Sequence, residues 1–175
     1  ILSLAASAVF ANDSGNTSHD GLIRVESKNI DALFVRPGAT LVPYKRVALL
    51  DCYVAFRKNW QRDQNSTGIK IHSSDMTRIK TNLGNEFRKI FTDELTKGGY
   101  EMAAEAGDDV LILRPMIIDL DIAEPDVMTA GRSRTFATSA GSMALVLELF
   151  DGASGQIIAR AIDNREGRDT GRQGQ

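Results

Sequence analysis

Four acidic residues fall close together in this chain, at Asp119, Asp121, Glu124 and Asp126. Carboxylates so spaced could serve a divalent cation or an acid/base pair, because residues two apart on a strand point the same way. Their surroundings favour a plainer reading. Ile118, Leu120 and Ile122 alternate with Asp119 and Asp121, the pattern of a strand with one buried and one wet face. No His, Asn or Gly ligand pattern accompanies the acids, so no metal site is expected. The second candidate is Gly131-Arg-Ser-Arg134. There Arg132, Ser133 and Arg134 could hold a phosphate or carboxylate with two guanidinium groups, a hydroxyl and free amides. No helix pattern follows, so the phosphate cradle of a helix N-terminus is missing. Pairing of both arginines with the neighbouring acids is the more economical expectation.

The remaining reactive side chains are isolated. His19 lies in a polar stretch and His72 just before a helix signal, and neither has the context of a triad base oriented toward a Ser or Cys. Cys52 is the one cysteine and sits in the apolar run Val47 to Phe56, where a thiol packs as a small hydrophobe. Trp60 stands among Arg57, Lys58, Gln61 and Arg62. An exposed aromatic ringed by arginine is the composition of an interaction hot spot, although a Trp capping a sheet edge looks the same and is slightly favoured. No catalytic residue, cofactor site or metal site is expected; the candidate interaction residues are Trp60, Arg132, Ser133 and Arg134.

Composition narrows the class. Hydrophobic residues at 42% and charged residues at 25% are ordinary globular values. A net charge of −2 lacks the positive balance of a nucleic-acid or polybasic membrane binder, so no nucleic-acid partner is expected. Residues 1–11 read as the remnant of a secretory signal peptide: a short apolar run ending in small residues, with Val9 and Ala11 at the −3 and −1 places. The run is too short to span a bilayer, which takes roughly 20 apolar residues. No Cys follows it as a lipid acceptor, so the chain reads as a soluble exported protein, periplasmic or secreted.

Stepping along the chain gives the elements that would position these residues. Residues 12–30 form a polar leader, 31–165 a single domain and 166–175 a polar tail. Asp31 to Val35 is a short strand ended by Arg36-Pro-Gly38. Lys45 to Arg57 reads as a central strand covered on both faces, with Asp51 marking a bulge or a shift in which face is buried. Asn59 to Gly68 reads as a polar loop. Ser74 is the expected cap of the clearest element, a helix over residues 74–97 with Asp75 at its positive end. Its apolar stripe is Met76, Ile79, Leu83, Phe87, Ile90, Phe91 and Leu95, and Gly98-Gly99 ends it. Leu83, Phe87, Ile90 and Phe91 are expected in the core. Val110 to Ile122 is a long strand in which Pro115 marks a bulge or an edge. Thr135 to Phe150 follows, then a hairpin turn at Asp151 to Gly155 and a return strand over Gln156 to Ile162. The expected fold is α+β: a mostly antiparallel sheet of about five strands against one long amphipathic helix.

Several strings together resemble a known family. They are Asp31-Ala-Leu-Phe-Val-Arg-Pro-Gly38, Tyr44-Lys-Arg-Val47, Val54-Ala-Phe-Arg-Lys-Asn-Trp60, Phe91-Thr-Asp-Glu-Leu95 with Gly98-Gly-Tyr100, and Pro125-Asp-Val-Met-Thr-Ala-Gly-Arg-Ser-Arg-Thr135. The resemblance is to domain of unknown function 3313, an uncharacterised bacterial envelope family of mostly lipoproteins, and it runs from Asp20 to Asp169. It implies a Gram-negative envelope location and a small α+β domain. No activity is assigned to the family, so no functional residue carries over. Two departures stand out: the lipid-acceptor Cys is missing, and the chain stops at Gln175 where relatives are expected to continue. The expected function is that of a non-enzymatic exported accessory protein binding another envelope protein, with membrane association only in lipidated relatives. The alternative is a module for a small anionic ligand or glycan using the 126–134 loop.

Overall fold

The computed structural model describes residues 17–68, 70–123 and 141–167. Within them the chain forms eight strands in one sheet and two helices, an α+β arrangement. The strands are β1 (Ile23–Val25), β2 (Ala32–Val35), β3 (Arg46–Leu49), β4 (Tyr53–Phe56), β5 (Glu101–Met102), β6 (Val110–Ile122), β7 (Gly141–Asp151) and β8 (Ile157–Glu166). The helices are α1 (Trp60–Ser66) and α2 (Ser73–Lys97). The order across the sheet is β1-β2-β8-β7-β6-β3-β5, with β4 also on β6.

The sheet is mixed, which corrects the mostly antiparallel expectation. β6, β7, β8, β2 and β1 pair antiparallel, whereas β3 and β4 both run parallel to β6, and β5 runs parallel to β3. The reason lies in the connection. Strand pairs joined by a long helical crossover run parallel, and α1 with α2 is such a crossover between β4 and β6. The expected strand from Lys45 to Arg57 is broken at Leu50-Asp51-Cys52 into β3 and β4. Expected coverage on both faces fails at Tyr53, which is 61% exposed.

Pro115 occupies that break from the other side. It is buried in the interior of β6, opposite Leu147, rather than at an edge or bulge. The Leu113 carbonyl faces β3, where it accepts the Leu50 N–H at 2.9 Å. Backbone groups two residues apart face the same neighbour, so the missing N–H of Pro115 falls where β3 has ended and β4 has not begun. The bulge lies further on, between Ile118 and Asp121, with Asp119 in a left-handed conformation (φ 52). It shifts the alternation: Ile117, not Ile118, is buried with Leu120 and Ile122.

The polar stretch expected as a loop over 59–68 contains α1. Its one apolar anchor is Trp60, 1% exposed, which stacks on Phe56 at 4.2 Å and donates its indole N–H to the Ile122 carbonyl at 3.2 Å. The other contacts are polar. Gln64 Nε2 also donates to the Ile122 carbonyl, and Asn65 Oδ1 accepts the Ile71 N–H. A helix held this way has no apolar periodicity to read.

α2 begins one residue before the expected cap. His72, in an extended conformation, is the N-cap and donates its N–H to Asp75 Oδ2 at 3.0 Å, while Ser74 lies inside the helix. Its end follows the expected glycines. Gly99 (φ 89) donates to the Thr96 carbonyl and Tyr100 to the Leu95 carbonyl, the paired bonds of a Schellman turn. The row Ile79, Leu83, Phe87, Phe91 packs on β4, β6 and β7, and Phe91 and Leu95 continue onto Val47, Leu49, Leu111 and Leu113. Ile90 departs from expectation at 50% exposed. It lies on the flank of the i, i+4 row and clears the sheet edge.

Candidate interaction surface

One face of the sheet is filled by the helices; the other is turned away from them. Leu49 packs toward α2, so Leu50 points to the opposite face. Tyr53 is opposite Met116, next to Ile117, which is buried under α2, so Tyr53 and Met116 share the outer face. Leu50 is 44% exposed there, beside Tyr53. Arg114, two residues before Met116, projects on the same side with its guanidinium 4.9 Å from the Phe150 ring. Strand register thus places Leu50, Tyr53 and Arg114 on one face near the break between β3 and β4, with the Arg114 guanidinium turned toward β7.

A charge row runs across this outer face in strand register: Arg114 on β6 opposite Glu148 on β7, and Glu148 opposite Arg160 on β8. Glu148 is 3% exposed and is the one buried charged residue among those described. Arg114 donates to Glu148 Oε2 through Nε at 2.8 Å and also through Nη2, and Arg160 Nε donates to Oε1 at 2.8 Å. Both oxygens are therefore satisfied, as burial of a carboxylate demands. Arg160 Nη2 continues the row to Asp20 at 2.6 Å.

Of the acidic cluster, only Asp119 and Asp121 fall among the described residues. Asp121 receives Arg57 Nε at 2.8 Å, and the same guanidinium donates to Asp63 at 3.0 Å. Asp119 is exposed on the bulge. Glu124, Asp126 and the candidate anion-binding residues Arg132, Ser133 and Arg134 lie outside the described residues. Among those described, no three His, Cys, Asp or Glu side chains group as metal ligands. His19 and His72 are both exposed. Cys52 is half-buried, and burial pushes its thiol up to about 11, so it is a poor nucleophile at neutral pH.

Trp60 is a core residue in this fold and offers no exposed ring. The exposed aromatic that sequence reasoning missed is Tyr53, at the start of β4 and seven positions before Trp60, and no local pattern marks it out. An open groove of about 700 Å³ lies between the 40–46 loop and the end of α2. Its Arg46 and Asp109 are already joined at 2.6 and 2.9 Å, and the Tyr44 hydroxyl donates to Asp151 at 2.8 Å. No helix among the described residues is long and apolar enough to cross a membrane.

An α+β fold with a mixed eight-stranded sheet and two helices is the class that the described residues define. The model of the family described as protein of unknown function (DUF3313) matches residues 12–175, and the chain belongs to that family. A search of curated proteins returned no match. Among solved structures, a PelC variant from Paraburkholderia phytofirmans, described as a dodecamer, is similar with a TM-score of 0.42 and 15% identity, covering 81% of this chain and 82% of that one.

Proposed function

We propose that this chain is a non-enzymatic accessory protein of the bacterial envelope, exported to the periplasm or medium, that binds another envelope protein through the outer face of its sheet. The supporting observation is the exposure of two large hydrophobic side chains, Leu50 at 44% and Tyr53 at 61%, three residues apart at the break between β3 and β4. Aromatic side chains at a site that excludes water contribute heavily to protein–protein binding energy, and a partner seated over the break would desolvate Tyr53 and Leu50. The remaining charges near the patch are engaged in pairs, so the partner's contact is expected to be apolar at its centre and polar at its rim.

Co-purification from the native envelope, comparing the parent with a Leu50→Ser, Tyr53→Ser double variant, tests the reading. The proposal predicts one envelope protein recovered with the parent and lost from the variant, while both retain the same thermal transition within about 3 °C, as surface substitutions do. Equal recovery with both, or with neither, contradicts it.

A further inference from the structure

The N-terminal described segment is held on the sheet by a compact polar clasp. Residues 17–23 form a hook: Ser18 N–H donates to the Leu22 carbonyl at 2.8 Å, Gly21 N–H to the Ser18 carbonyl at 3.0 Å, and Leu22 N–H to Ser18 Oγ at 3.1 Å. Gly21 at φ 79 makes the turn, and Thr17 bridges Ile23. The hook carries one buried apolar side chain, Leu22, and one carboxylate, Asp20. Asp20 accepts the Ser18 hydroxyl and Arg160 Nη2, and its backbone carbonyl accepts Arg36 Nη2 at 3.1 Å. Arg36 is itself fixed, since its Nε donates to the Ile157 carbonyl at 2.6 Å. The ladder that follows is short: β1 has three residues at the sheet margin and pairs with β2 alone.

We propose that residues 17–25 are a latched strap, in which the Asp20–Arg160 contact decides whether the hook and β1 stay on the sheet. Arg160 is well placed for this. It is anchored through Nε to buried Glu148, and presents a second donor to Asp20. A charge-assisted bond of this kind is stronger than a neutral one and is weakened by salt when its members are partly exposed. When the latch opens, Thr17 to Val25 leave together and the β2 backbone facing β1 loses its partner.

Amide hydrogen exchange on the full chain tests this, with Asp20→Ala as the opening variant and Asp20→Asn as the milder one. In the parent, Leu22 to Val25 should be protected. In Asp20→Ala their exchange should quicken by about tenfold or more, with Val110 to Leu113 unchanged, the mark of local rather than global opening. Raising NaCl to about 1 M, where the screening length is about 3 Å, should quicken the same amides in the parent and leave Asp20→Ala unaffected. Unchanged exchange in Asp20→Ala, no protection in the parent, no response of the parent to salt, or an equal rise across β6 would each overturn the proposal.

Discussion

Glu148 is the residue on which burial and charge meet most directly. Its carboxylate is almost solvent-free and its two oxygens are shared between Arg114 and Arg160. Removing it would leave two guanidinium groups facing each other over the sheet. Glu148→Ala should therefore cost about 2–3 kcal/mol, somewhat below the 3–5 kcal/mol of a fully buried pair, because Arg114 is half exposed. Arg114→Ala should cost about 1 kcal/mol, since Arg160 still satisfies Glu148. Denaturant midpoints at constant slope measure both, and equal costs would refute this division of labour. The sequence held no hint of the row. Arg114 and Glu148 are lone charges in separate apolar strands, and only strand register brings them together.

At the scale of elements, the i, i+4 row of α2 separates core from surface. Phe87 is buried and stacks on Phe91 at 4.0 Å, while Ile90 faces out. Phe87→Ala should cost about 3–5 kcal/mol, whereas Ile90→Ala should stay within about 0.5 kcal/mol of the parent. A large loss at Ile90 would mean that the stripe is wider than the sheet contact shows. The helix was legible because its period and its terminal glycines carry local signals. So were β2, β6, the end of β7 and the Asp151 turn, where Ser154 N–H and hydroxyl bond the Asp151 carboxylate at 2.7 and 2.5 Å. Other elements left no such trace. α1 has one apolar side chain, β1 and β5 have three and two residues, and the direction of β3 and β4 depends on a crossover rather than on composition. The exposed patch was illegible for a related reason. Leu50 and Tyr53 belong to an apolar run that reads as wholly buried, and the interruption between β3 and β4 that exposes them appears only once β6 is placed beside it.

For the whole molecule, stability should follow pH on two limbs. Asp20 is held down to about 2 by the Ser18 hydroxyl and then by the Arg160 guanidinium. Asp151 is lowered by the Ser154 hydroxyl and amide, and Asp109 by the Arg46 guanidinium. Carboxyls depressed in the fold bind protons less readily than in the unfolded chain, where they titrate near 3.9, so their stabilisation is complete above about pH 5 and is lost toward pH 2. The alkaline limb has the opposite sign. Burial first, and then the bond to Asp151, push Tyr44 up to about 12, and burial pushes Cys52 up to about 11. Both contributions are present at neutral pH and are lost as pH rises through those values, beyond the ordinary range near 8.5 for a thiol and 10 for a phenol. Thermal midpoints across pH should show a plateau from about 5 to 8 with a fall on each side. A maximum at pH 3 would contradict these assignments.

The central claim is that the outer face of the sheet, at the break between β3 and β4, meets a protein partner in the envelope. Site-specific photo-crosslinking in the native host tests it most directly, with the reactive side chain placed at Tyr53 and, as a control, at exposed Glu86 on α2. The account predicts one discrete heavier species from position 53, carrying an envelope protein, abolished by Leu50→Ser and absent from position 86. A species formed equally from both positions, or none from position 53 in protein that is folded and present at the parent level, would contradict it.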